Sequence, residues 1–207
     1  MMHPTPTADD WSELPDDPIV LLERWLPRND DPERPLMTLA TIDADGLPDA
    51  RSLLLSGWDA AGFYWHADAR SRKIAQVTRV PAVALCLPLL GTPHPETKHQ
   101  LVVQGVAEPA PASEQKRAYA ARSVYLRQLA WQNTPEFAAR PQQERIAAWD
   151  AFARAHAGTE LAPPPTWTGY LVRPARLTFW FGSSETASRR LEYARRDDVW
   201  ERRILAG

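Results

Sequence analysis

Proline placement constrains this chain more than any other feature. Its 20 prolines cluster near the N-terminus, over Pro88–Pro95, over Pro109–Pro111 and over Pro163–Pro165. Proline removes a backbone donor and fixes φ, so it interrupts helices and central strands. The clusters therefore punctuate the chain. The segment before Pro109 reads as strands and turns, the segment from Pro111 to Pro163 as helices, and the segment after Pro165 as strands again.

Composition excludes several classes. A formal net charge of −2 gives no support for broad nucleic-acid binding. Cys86 is the single cysteine, so an internal disulfide and every CxxC motif are excluded. It lies in the apolar run Val83–Leu87 and reads as a buried, inert thiol. His3, His66, His94, His99 and His156 show no paired ligand spacing, so no metal is expected. The opening MMHPTPTADD lacks the basic and apolar regions of a secretory signal, and no apolar run is long enough to span a bilayer. A cytoplasmic location is expected by elimination.

Residues 1–16 are polar and proline-rich and read as a disordered tail, leaving 17–207 as one domain. Asp17–Leu26 predicts a helix with Leu21, Leu22, Trp25 and Leu26 on one face. Strands are predicted over Met37–Ile42, Ala50–Leu55, Phe63–His66, Val80–Leu87 and Leu101–Ala107, with turns at Asp43–Gly46 and Gly57–Gly62 and a loop at Gly91–Pro95. Ser71–Thr78 reads as a short helix. A helical insert over 113–157 holds one helix from Ser113 to Ala130 and another from Arg140 to His156. Strands return at Trp167–Val172, Leu177–Phe181, Leu191–Arg195 and Val199–Leu205. Short strands joined by Gly and Asp turns predict a small antiparallel barrel with helices, an α+β protein that is mainly β.

Three places carry chemistry. Ser71-Arg72-Lys73 opens a helix directly after a strand, where free N–H groups, the helix dipole and two cations favour an anion. The alternative is a solvated basic turn. Arg51 leads the apolar strand Ser52-Leu53-Leu54-Leu55 and needs a partner, either a ligand phosphate or an Asp across the sheet. Trp180 ends a strand, with Arg189 and Arg190 beyond the turn that follows; a core tryptophan and surface arginines are the alternative there.

These motifs, with their order and spacing, resemble the pyridoxamine 5′-phosphate oxidase family over nearly all of the chain after residue 16. The resemblance rests on Met37–Asp43 with Gly46 and Pro48, Arg51–Leu55, Gly62–Trp65, Ser71–Lys73 and Gln100–Gly105. It continues through Trp167–Tyr170, Phe179-Trp180, Gly182, Tyr193, Arg195 and Trp200. It implies an FMN-binding split β-barrel, a homodimer with the flavin at the subunit interface, and a C-terminal dimerisation region over 166–207. By the same resemblance Arg51, Ser52, Leu53 and Leu54 line the flavin, and Ser71, Arg72 and Lys73 hold its phosphate. Gln100 bonds the ring, Gln132 and Asn133 form a polar pair, and Trp180 and Arg190 reach in from the partner. His66-Ala67 replaces the family's aromatic–threonine pair, which weakens one phosphate contact.

The substrate positions depart from the family. Its phosphate-clamping Lys, Tyr, Arg and Ser fall on Ser56, Ala118, Arg122 and Leu126, and its Arg-x-His pair falls on Thr186 and Ser188. A one-residue shift would recover Tyr119 but lose Arg122. A phosphate dianion against Ser, Ala and Leu would be poorly compensated. The expectation is therefore an FMN-dependent oxidoreductase acting on another small molecule. Arg122 is available for a carboxylate, Ser56, Thr186 and Ser188 for neutral contacts, and no residue presents itself as a catalytic acid or base. The alternatives are a pyridoxamine 5′-phosphate oxidase with a rearranged site and a flavin carrier or sensor without turnover.

Overall fold

Apolar residues alternating with polar ones build a curled antiparallel sheet, and a computed structural model describes residues 14–90 and 98–207 of it. The elements, in order, are α1 (Ile19–Trp25), β1 (Leu36–Ile42), β2 (Pro48–Leu54), β3 (Gly57–Asp59), β4 (Gly62–Asp68), α2 (Arg72–Arg79), β5 (Ala82–Leu90) and β6 (Lys98–Pro109). Then come α3 (Ala112–Ala120), α4 (Val124–Gln132), α5 (Pro135–Ala138), α6 (Gln142–Ala155), β7 (Trp167–Phe181), β8 (Arg189–Arg196) and β9 (Val199–Ala206). The strands run β2-β1-β5-β6-β7-β4-β3, with β8 on β7 and β9 on β8. This is the expected fold class, a half-barrel of strands with helices outside it.

Strand period explains the core. Val83, Leu85, Leu87 and Leu89 of β5 face inward, as do Leu101 and Val103 of β6 and Leu177, Phe179 and Phe181 of β7. Each such side chain contributes about 1.5–3 kcal/mol when fully buried. Helix α1 closes one end: Trp25 stacks on His99 at 4.2 Å and meets Phe179 and Phe181 edge-on. Cys86 is half-buried, and burial raises its thiol pKa.

Several elements differ from the sequence expectation. Trp167–Val172 and Leu177–Phe181 are one continuous strand, β7. Pro174, between the two expected strands, lies opposite Gly105, where Ala175 is an extra residue bulged from the ladder. Gly57–Gly62 is not only a turn, because Gly57–Asp59 pairs with β4 as β3. The single helix expected over Ser113–Ala130 is two helices, interrupted at Ala121-Arg122-Ser123. The Ser123 side chain accepts from the Leu126 N–H and caps α4, while Arg127 donates to the Ala120 and Arg122 carbonyls at the end of α3. Leu14, Pro15 and Asp16, expected in the disordered tail, are held in place. Leu14 is buried, the Tyr193 hydroxyl donates to the Pro15 carbonyl at 2.6 Å, and Asp16 pairs with Arg202. The rest of that tail and the Gly91–Pro95 loop lie outside the described residues. No helix among the described residues is long and apolar enough to cross a membrane.

Gly62 shows how closely β4 and β7 approach. Its φ is +144°, and a Cβ there would lie 2.1 Å from the Val172 carbonyl oxygen. Gly62→Ala is expected to destabilise the fold by about 3 kcal/mol or more. A thermal melt should then show Tm lowered by roughly 6–12 °C, and an unchanged Tm would contradict this packing.

Candidate cofactor and substrate site

The ends of β2 and β4, the start of α2, the insert helix α4 and the start of β7 enclose a cavity of about 320 Å³. Ser52, Leu53 and Leu54 supply one wall, and His66 and Asp68 another. Ser71 and Lys73 stand at the start of α2, while Arg122, Leu126 and Asn133 come from the insert. Trp167 completes the wall. A neighbouring cavity of about 340 Å³ shares Asp68, Ser71 and Asn133 with it.

One end suits an anion. Ser71 has the extended backbone of a helix N-cap, yet its Oγ is buried without a hydrogen-bond partner. The first turn of α2 directs free N–H groups the same way. Lys73 is partly buried; desolvation and the nearby Arg51 lower its pKa. An orphaned hydroxyl, a helix N-terminus and a cation fit a phosphate.

The other end is a lone cation on an aromatic floor. The Arg122 guanidinium lies 4.3 Å over the Trp167 ring, and its Nη1 donates to the Leu126 carbonyl at 3.1 Å. Burial pushes its pKa down to about 10, with only Tyr119 acting the other way. No carboxylate among the described residues neutralises it. The helix break at Ala121–Ser123 is what puts Arg122 there. His66 stacks on the same Trp167 at 4.9 Å. It is 6% exposed, and neither ring nitrogen has a partner. Burial first, then the charges of Arg122 and Arg117, push its pKa down to about 3, so the imidazole is neutral at pH 7. A neutral histidine offers one donor and one acceptor to whatever fills the cavity.

The remaining candidate residues sit elsewhere. Arg51 and Arg72 are not in the cavity wall; both meet the Asp49 carboxylate, at 2.7 and 3.0 Å. Arg51 has the acidic partner that its position called for, though on its own strand. Gln100, Trp180 and Arg190 form one cross-strand row over β6, β7 and β8. They too are outside the cavity wall. Gln132 ties α4 to α6 by donating to the Ala148 carbonyl, whereas Asn133 does line the cavity. Ser56, Thr186 and Ser188 are not in its wall, and the Thr186 N–H donates to Ser183 Oγ in the turn after β7. Sequence reasoning missed Trp167 as a wall residue; its signal was an aromatic at the start of a strand released by three prolines.

Residues 30–180 match the family described as "Pyridoxamine 5'-phosphate oxidase", and residues 167–207 match "Pyridoxine 5'-phosphate oxidase C-terminal dimerisation region". A pyridoxine/pyridoxamine 5'-phosphate oxidase from Pseudomonas paraeruginosa is 35% identical, over 97% of this chain and 94% of its own. One from Shewanella amazonensis is 31% identical, over 94% and 91%. Among solved structures, PhzG from Burkholderia lata 383 in complex with tetrahydrophenazine-1-carboxylic acid is 28% identical, covers 96% of each chain and has a TM-score of 0.78. An FMN-binding protein from Nostoc punctiforme, at 19% identity and TM-score 0.53, shares the fold.

The buried histidine sets a pH dependence. Unfolded His66 titrates near 6.5 and the folded residue near 3, so the unfolded chain takes up the proton first as pH falls. Stability present above pH 6.5 is therefore lost between about 6.5 and 3. His99, held at about 4 by burial, acts in the same direction. Denaturant unfolding of His66→Leu should show a flatter fall of stability over this range than the parent protein; an identical slope would mean that His66 is not held neutral.

Proposed function

This chain belongs to the pyridoxamine 5′-phosphate oxidase family, and on that premise we propose that it is an FMN-dependent oxidoreductase whose substrate is a cyclic carboxylic acid. Bound in the site, the flavin would supply the redox chemistry, accepting a hydride from a substrate C–H bond. Ser71, Lys73 and the first turn of α2 hold its phosphate. Leu53 and Leu54 give an apolar wall that excludes water. His66 remains neutral and hydrogen-bonds the bound molecules without taking a proton.

The observation that carries the substrate reading is Arg122, a partly buried guanidinium with no anionic partner among the described residues, at the end of the cavity it shares with the neutral His66 and with Leu126, Leu129 and Ala130. One cation balances a monoanion and leaves a phosphate dianion half-compensated. Leu126 beside it offers no hydrogen bond to a phosphate oxygen. The carboxylic acid bound by PhzG is of the class that this arrangement would accept.

The active unit in this reading is a homodimer with its flavin at the interface. Trp167 and Trp180 stand at opposite ends of β7. Thirteen strand residues span roughly 40 Å along the chain, somewhat less when the strand coils. That separation supports the row of Gln100, Trp180 and Arg190 serving the cavity of the partner, not its own. The names of the curated relatives favour a second reading, oxidation of pyridoxamine phosphate through a rearranged clamp.

The purified protein should bind FMN in a fluorescence titration, and should bind and oxidise tetrahydrophenazine-1-carboxylic acid in preference to pyridoxine 5′-phosphate. Arg122→Leu should weaken binding of the acid about 10- to 150-fold, the loss of a charge-assisted contact of about 1.5–3 kcal/mol, with FMN affinity unchanged. Rapid turnover of pyridoxamine phosphate would establish the second reading. Flavin binding with no turnover of either compound would mean a carrier or sensor.

A further inference from the structure

The phosphate end of the site is bordered by a carboxylate. Asp49 precedes Arg51 by two residues on β2, so their side chains leave the same face of the strand. Helix α2 packs over that face, with Thr41 Oγ1 donating to Gln76 Oε1 at 2.8 Å, and its first residue, Arg72, comes to the same place. The single oxygen Asp49 Oδ2 lies 2.7 Å from Arg51 Nη2 and 3.0 Å from Arg72 Nη2, and accepts from Gln76 Nε2 at 2.9 Å.

The two arginines are held differently. Arg51 is pinned, because its Nη1 also donates to Thr41 Oγ1 at 2.6 Å and to the Leu39 carbonyl at 3.2 Å, and its Nη2 to Gln76 Oε1 at 2.7 Å. Its side chain is 18% exposed. Arg72 is 78% exposed. An exposed ion pair of this kind is weak and exchanges readily. Two cations, Arg51 and Arg72, therefore share one anion, and Lys73 follows Arg72 on α2. The three cations and Asp49 together carry the charge of a phosphate dianion with the sign reversed, but both arginines are already engaged and the carboxylate repels a phosphate placed beside Ser71.

We propose that Asp49 sets the affinity of the flavin site by holding Arg72 away from the phosphate, so that binding FMN transfers Arg72 from a carboxylate to a phosphate. The proposal rests on the FMN reading above. Asp49 touches neither the cavity nor its contents; it acts through Arg72 and through its charge. The consequence is a flavoprotein that binds FMN more loosely than its set of cations alone would allow.

The test compares FMN with riboflavin, which lacks the phosphate. Dissociation constants of both are measured by flavin fluorescence for the parent protein, Asp49→Asn and Arg72→Ala. The asparagine keeps the hydrogen bonds to Gln76 and Arg51 and removes the charge. FMN should bind Asp49→Asn on the order of ten-fold more tightly, with riboflavin affinity unchanged. In the proposed bound state Arg72 has moved to the phosphate, so Arg72→Ala should weaken FMN on the order of ten-fold, with riboflavin unchanged. Unchanged or weaker FMN binding by folded Asp49→Asn would overturn the proposal. If that variant does not fold, the exposed Arg72→Ala decides: unchanged FMN affinity would show that Arg72 does not pass to the phosphate, and would overturn the proposal equally. A parent protein that binds neither flavin would instead refute the FMN reading itself.

Discussion

The backbone ladder of β7 is the constraint on which the remainder of the molecule depends. Its fifteen residues bond to β6 along one edge, and to β4 and then β8 along the other. A strand that serves three neighbours must curl, and the extra residue at Ala175 supplies the bend. Inside the curl lie Trp65, Leu101, Val103, Phe179 and Tyr193, all essentially without solvent exposure. At its first residue β7 places Trp167 in the cavity, and near its last it places Trp180 in the row with Gln100 and Arg190. Core and candidate site are thus positioned by one element. A lesion in the β4–β7 ladder would be felt in both.

The insert contributes what the sheet cannot. Helix α6 buries none of its residues and is tied to α4 largely through side-chain-to-carbonyl bonds from Gln128 and Gln132. Such a layer adds little to stability, and the cavity wall takes its insert residues from Arg122 and from α4 and its C-cap, not from α6. The two-residue spacing between Arg122 and the end of α3 matters more than the packing of α6. In an unbroken helix Arg122 would continue the face set by its neighbours. The break lets it lie over Trp167, with the carbonyls freed at the end of α3 taken up by Arg127.

The sequence disclosed the class of fold because strand alternation and proline punctuation are local signals. It disclosed Ser71 and Lys73 for a related reason: a strand end followed by a helix start is a short-range pattern with a fixed chemical meaning. It did not disclose that Arg72 turns away from Lys73, since adjacent helix residues point in different directions and the partner that draws Arg72, Asp49, lies on a distant strand. The interruption at Ala121–Ser123 was signalled only by Ser123, a residue favoured at N-caps over helix interiors; the helix-forming Ala118, Ala120 and Ala121 before it and Leu126 and Arg127 after it masked that signal. The continuity of β7 was hidden for a similar reason: the bulge at Ala175 that carries the ladder past Pro174 exists only in the pairing with β6.

Taken together, the charges around the cavity divide into two unequal poles. At one, Lys73 and the N-terminus of α2 stand with the buried, unpartnered Ser71 hydroxyl, Asp68 in the same wall is paired with Arg70, and Arg51 and Arg72 lie outside the wall on Asp49. At the other, Arg122 stands alone on an aromatic ring, and the neutral His66 adds polarity without charge. A dianion and a monoanion separated by apolar surface would satisfy both poles, whereas two dianions would leave the second in excess. Where burial excludes water, charge mismatch is costly because little solvent is available to screen it. The count of cations at each pole therefore bears more on which molecules can occupy the cavity together than does its volume or the shape of its walls.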